Sequence, residues 1–174
     1  MKEVNHSAQV NTESTPSLQP EICIVPMTEE EFSGKNRKMT ISYSIFNLPT
    51  GKFLIASTHK GICFIMPAES QWSPVETLKI RFPHFHYRCQ KVEQQRVAAK
   101  LLKYKGDPSI KLMLHIHGTP FQLSVWQDLL NVPIGKVTTY RNIAKRIGKP
   151  RSARPVGRAV GNNPVMCIIP CHRV

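Results

Sequence analysis

A cysteine and a histidine stand side by side at Cys171 and His172, within the run IIPCHRV at 168–174. A thiolate is a soft nucleophile, and a neighbouring imidazole can take the thiol proton. A Cys–His pair alone is unspecific, because most cysteines are small buried hydrophobes, and that is the expectation for Cys167. Cys171 differs in its setting. It follows Pro170, precedes His172 and lies in a strongly cationic segment, all of which favour the thiolate. Metal binding is the competing chemistry. Cys167, Cys171 and His172 supply at most three ligands in C-x₃-C-H spacing, and His84, His86 and Cys89 in FPHFHYRC have no partner pair. A structural zinc site needs four ligands, so no metal is expected and the two histidines are read as exposed loop residues.

The elements that must position Cys171 lie directly before it. Thr119-Pro120-Phe121-Gln122 is a capping box with proline at the first helical position. It opens a helix to about Asn131 that buries Phe121, Val125, Leu129 and Leu130. After VPIG, Thr138 or Thr139 caps a second helix, with Ile143, Ala144 and Ile147 inward and Gly148 as its stop. Ser152 is expected to cap a third helix, SARPVGRAVGNN, and VMCIIP to follow as a short buried strand delivering Cys171. Two short helices joined by a tight turn, the second rich in Arg and small residues, have the form of a helix-turn-helix. The small residues Ala153, Gly157 and Ala159 admit two readings: close approach to a narrow groove, or tight packing on a neighbouring helix.

Charge points to the same region. The chain carries +13 overall, and residues 119–174 hold nine Lys/Arg against a single acid, Asp128. So basic a segment is the footprint of a polyanion binder. Upstream, residues 39–118 read as a small α+β unit: a three-stranded meander over 41–65 with turns at PTGK and HKG, a short helix around Pro74–Lys79, a helix over 92–106 closed by Gly106, and a strand from Lys111 to His117. The start, residues 1–20, is rich in Ser, Thr, Asn, Gln and Pro and has no apolar h-region, so it is not read as a secretory signal, and residues 1–38 are read as a disordered leader. Five irregularly spaced cysteines argue against a disulfide framework and for a reducing compartment, cytoplasmic (nucleoid-associated) or nuclear.

GNNPVMCIIPCHRV resembles the active-site signature of the O6-alkylguanine-DNA alkyltransferases, the methylated-DNA–protein-cysteine methyltransferases. That family carries Pro-Cys-His-Arg-Val after an Asn-Pro-Val, an Arg-rich small-residue helix and a tyrosine-bearing helix, in the order found here. The resemblance is specific over 119–174 and looser over 39–118. It implies that Cys171 accepts the alkyl group from guanine O6 and that His172 helps deprotonate it through a bridging water. It further implies that the Tyr140 hydroxyl bonds guanine N3, that Arg154 enters the base stack and holds the target nucleotide extrahelical, and that Asn163 braces the turn before the nucleophile. Ala153 and Gly157 would let the helix lie in the minor groove.

The expectations are therefore an α+β chain with a leader (1–38), a small sheet domain (39–118) and a helix-turn-helix, winged-helix-like domain (119–174). Its function is single-turnover DNA repair on double-stranded DNA containing O6-alkylguanine, by a monomer that needs no cofactor and contacts no membrane. The rival is a helix-turn-helix module that binds alkylated DNA without repairing it; such relatives lack the acceptor cysteine. Two departures from the family pattern stand out. Pro155 replaces a frequent alanine, which a helix start tolerates. The family also continues past Pro-Cys-His-Arg-Val with a lid and a glutamate that orients the histidine, so these 174 residues alone are expected to bind DNA but to transfer alkyl groups slowly or not at all.

Overall fold

A computed structural model of the chain describes residues 19–34, 39–69, 73–104 and 107–174. The meander forms as the β-formers and turns dictate: β2 (Thr40–Leu48), β3 (Gly51–Thr58) and β4 (Gly61–Pro67) pair antiparallel in sequence order. Gly61 is required at its turn, because an added Cβ would lie 2.5 Å from the carbonyl oxygen of Met113.

Three further strands complete a six-stranded sheet. β1 (Glu21–Pro26) pairs parallel with β6 (Lys111–Ile116), β6 lies parallel to β4, and β5 (His86–Cys89) lies parallel to β2 at the other edge. The order is β1-β6-β4-β3-β2-β5. The leader reading is corrected here for part of its length. Glu21–Pro26 is a strand because Ile22 and Ile24 pack against the core and its backbone pairs with β6. Helix α1 (Glu29–Ser33) follows, with Thr28 and Glu31 forming a capping box. The rest of the expected leader, 1–18 and 35–38, lies outside the described residues, as does Gly106.

Alternation along β3 divides the interior in two. Leu54 and Ala56 join Cys63, Phe64, Leu78, Phe82 and Phe85 on one face. Phe53 and Ile55 point to the other, the period-2 consequence of the pleat. The first face is covered by α2 (Pro74–Arg81), the second by α3 (Glu93–Lys103) and the helices after residue 119. Ile55, Ile62, Ile65 and Leu114 from the sheet share one buried cluster with Trp126, Ile143 and Val156. The sheet is thus the floor on which the last 56 residues are seated. Arg81 adds a polar tie across this seam, donating to the carbonyl of Asn162 at 2.7 Å.

Candidate functional site

The expected capping box is formed. Thr119 and Gln122 exchange side-chain bonds at 2.9 and 3.2 Å and start α4 (Pro120–Leu130). Trp126 on α4 is fully buried, and its indole N–H donates to the carbonyl of Ala159 at 2.8 Å. Gly118 clears space for that ring, since a Cβ there would stand 2.6 Å from the indole. Removing the indole would cost roughly 3–5 kcal/mol in cavity and transfer terms and would release the helix it holds.

That helix is α6 (Ala153–Gly161), preceded by α5 (Tyr140–Arg146). Thr139, not Thr138, caps α5, accepting from Asn142 N–H at 3.1 Å. Gly148 ends the turn after it at φ +72°, and Lys149 N–H bonds back to Ala144. Ser152 makes no side-chain cap bond to α6, contrary to expectation. Val156, Ala159 and Val160 face the core, while Arg151, Arg154 and Arg158 lie on the opposite, exposed side. Helical periodicity produces that split.

Gly157 lies on the flank between those two sides, against Tyr140. A Cβ there would sit 3.5 Å from the tyrosine ring, an ordinary contact distance, so the ring packs beside α6 with room for a methyl at 157. Tyr140 itself is 44% exposed. The Tyr140 contact therefore does not require a glycine at 157. Ala153 is half-buried at the start of the same helix.

The run from Asn163 to Cys171 is not the expected strand. It touches β4 only through the Ile65–Val165 bridge and then folds on itself, Met166 bridging Ile169. Asn163 explains why. Its Oδ1 accepts from Val165 N–H at 2.9 Å and its Nδ2 donates to the Ile169 carbonyl at 3.0 Å, so one side chain closes the turn at both ends. Cys167 sits at the bend with φ +70°, the only non-glycine positive φ among the described residues, and is exposed. The expectation that it is a buried hydrophobe is thus wrong, because the bend turns it outward.

Cys171, His172 and Arg173 form a single 3-10 turn. Consecutive side chains leave such a turn about 120° apart. Cys171 accordingly packs half-buried on the core while His172 is exposed. Beside the turn opens a cavity of about 580 Å³, with Ile22, Leu101, Leu130, Cys167, Pro170 and His172 in its wall. His84, His86 and Cys89 are exposed at the β5 edge, and no three metal-ligating side chains converge among the described residues.

The sequence reading gave Arg146 and Arg173 no role of their own and noted Asp128 only as the lone acid and Thr138 only as a candidate cap. The structure joins them beneath the site. The signal available was Asp128 itself, one acid among nine cations. The Asp128 hydrogen bonds raise the Arg146 guanidinium pKa further above its ordinary value.

A family model described as 6-O-methylguanine DNA methyltransferase, DNA binding domain, matches residues 120–174. The inducible methylated-DNA–protein-cysteine methyltransferase of Bacillus subtilis is 34% identical over 146 residues, covering 80% of each chain. The regulatory protein Ada of Salmonella typhimurium is 35% identical over 150 residues, 85% of this chain; the match spans only 42% of that protein's length. Among solved structures, Mycobacterium tuberculosis OGT in complex with DNA superposes with a TM-score of 0.59 at 30% identity, over 76% of this chain and 77% of that one.

Proposed function

The chain belongs to the methylated-DNA–protein-cysteine methyltransferase family, and from that membership we propose that it repairs DNA by taking the alkyl group of O6-alkylguanine onto its own Cys171. The Cys171 thiolate attacks the alkyl carbon in line, the carbon–O6 bond breaks, and its electron pair returns to the guanine. Sulfur is suited to attack at an sp³ carbon. The thioether formed has no easy hydrolysis route, so each molecule acts once. His172 takes the thiol proton through water, and the Tyr140 hydroxyl bonds guanine N3 as negative charge develops there. A duplex hides O6, so the nucleotide must be flipped; Arg154 fills the gap it leaves. α5 and α6 act as a helix-turn-helix, winged-helix-like unit laid in the minor groove by a monomer.

The observation that carries this reading is a juxtaposition. A turn braced by Asn163 leads to Cys171 from a helix whose outward face carries Arg154 and Arg158 beside Pro155 and small residues, and no acid. Intact-mass measurement after incubation with an O6-methylguanine duplex tests it. The expected result is one gain of about 14 Da, one methyl for one proton and no more with excess DNA. Cys171→Ser should abolish the gain and Cys167→Ser should retain it. The reverse pattern would move the acceptor to Cys167, and binding with no gain at all would make the chain a non-repairing reader.

A further inference from the structure

The one acid of 119–174 begins a chain of contacts that ends at the nucleophile's turn. Asp128, its side chain 11% exposed, receives a two-pronged bond from Arg146: Nε to Oδ1 at 2.8 Å and Nη2 to Oδ2 at 2.7 Å. The same guanidinium reaches Thr138 Oγ1 from Nη1 and Nη2 at 3.2 Å each. Thr138 N–H donates to the carbonyl of Arg173 at 2.8 Å, and Arg173 Nη1 donates to the carbonyl of Val132 at 2.7 Å.

These ties hold a segment that has little else to hold it. Residues 133–137 are all exposed, Val137 at 81%, and only Ile134, 48% exposed in the wall of the cavity, covers appreciable apolar surface, so little burial fixes their path. Segments of that kind open easily. Yet this one leads into Thr139 and Tyr140, while Arg173 closes the turn that starts at Cys171. Thr138 N–H bonded to Arg173 O is thus a direct link between the segment carrying Tyr140 and the segment carrying Cys171.

We propose that Asp128, Arg146 and Thr138 are positioning residues for alkyl transfer, fixing the backbone link that sets Tyr140 relative to Cys171. The proposal rests on the reading of Cys171 as acceptor and Tyr140 as the group that bonds the guanine. Its demand on geometry is specific. A planar guanidinium can serve Asp128 and Thr138 at once, whereas a lysine ammonium at the same place cannot reproduce the fork. Displacement of a reacting group by about 1 Å can cost up to 100-fold in rate.

The experiment compares Arg146→Lys, Thr138→Val and Thr138→Ser with the unaltered protein. It measures transfer from free O6-benzylguanine, duplex affinity, and hydrogen exchange of the Thr138 amide. Arg146→Lys and Thr138→Val should slow transfer roughly tenfold and speed Thr138 exchange, with duplex affinity within about twofold because no net charge near the groove is lost. Thr138→Ser keeps the hydroxyl and should restore both. Unchanged transfer in the two damaging variants, with or without faster exchange, would overturn the proposal. So would losses of transfer and affinity that follow melting temperature alone, since those would mark a merely structural contact. If the unaltered protein itself transfers nothing, the acceptor reading fails first and the outcome is recognisable as that failure.

Discussion

The sheet region and the last 56 residues use charge in opposite ways. In the sheet region, acids and bases meet across elements: Lys60 and His115 with Glu31, His117 with Glu29, Lys111 with Glu21, Lys100 with Asp107. Several of these contacts fasten β1 and α1 to β6 and the turn beside it. After residue 119 the only ion pair among the described residues is Arg146 with Asp128. Arg141, Lys145, Lys149, Arg151, Arg154 and Arg158 are exposed, and none of them makes an ion pair among the described residues. Matched charge fastens a fold, each surface pair contributing little. Unmatched charge on one face builds a positive potential that a polyanion can answer. The two regions therefore divide structure from recognition, although they share one core.

The largest effect is expected at Arg154, proposed above to fill the gap left by the flipped nucleotide. Arg154→Ala is expected to slow repair of duplex DNA by about 100-fold while slowing reaction with free O6-benzylguanine by no more than about threefold, because only the duplex requires flipping. Parallel transfer time courses read both. Equal losses would erase the distinction between recognition and simple charge at this position.

A smaller effect is expected in the region of matched charge, where pH is the probe. Partial burial pushes Glu31 up, but Lys60, the Thr28 backbone and His115 outweigh it and hold the carboxyl at about 2. Its contribution to stability is therefore complete above its ordinary value of 4.5 and lost as pH falls toward 2. Burial, opposed by Glu31, keeps His115 below its usual 6.5, so proton uptake below that pH also favours the unfolded chain. Thermal melts at pH 6 and pH 3 should show a smaller pH-dependent drop for Glu31→Gln than for the unaltered protein, with duplex affinity at pH 7 unchanged. An identical drop in both proteins would show that this carboxylate does not fasten α1.

The smallest effect belongs to a single unmatched cation. Arg151→Ala should weaken binding to every duplex sequence several-fold and reduce the slope of log affinity against log salt by about 0.9. Stability should stay within about 0.5 kcal/mol, as for an unpaired surface substitution. A titration across salt concentrations and one melt decide it. A changed melting temperature with an unchanged slope would assign Arg151 to structure instead.

Much of this was legible in residue order, and the exceptions share a cause. The meander, α3 and α4 to α6 follow from local periodicity and caps such as Thr119 and Gln122. β1 escaped because Glu21–Pro26 follows a polar, proline-containing stretch and pairs with a parallel partner far along the chain, although Ile22, Ile24 and Val25 are strand formers. β5, four residues at an edge, escaped likewise. α1 was within reach, since Thr28 and Glu31 are spaced as a capping box. The apolar run before Cys171 looked like a strand because hydrophobicity signals burial and not path. What bends it is Asn163, whose amide takes the bonds a neighbouring strand would have used. The link from Asp128 through Arg146 to Thr138 rests on side-chain bonds 18 and 8 positions apart, which neither periodicity nor a cap pattern signals.

The pairing of β1 with β6 also governs how the protein is made. Glu21 meets Lys111, a gap of 90 positions, so at about 5–20 residues per second the first strand leaves the ribosome roughly 5–20 s before its partner exists. The β2–β4 meander can close during that interval from neighbouring hairpins alone. Ile22 and Ile24 cannot, and they stay in water until β6 emerges. This distant parallel closure is the slow kind of step. The nascent chain thus passes through a stage with a half-built sheet and an unmated edge, which is when a chaperone would have most to hold.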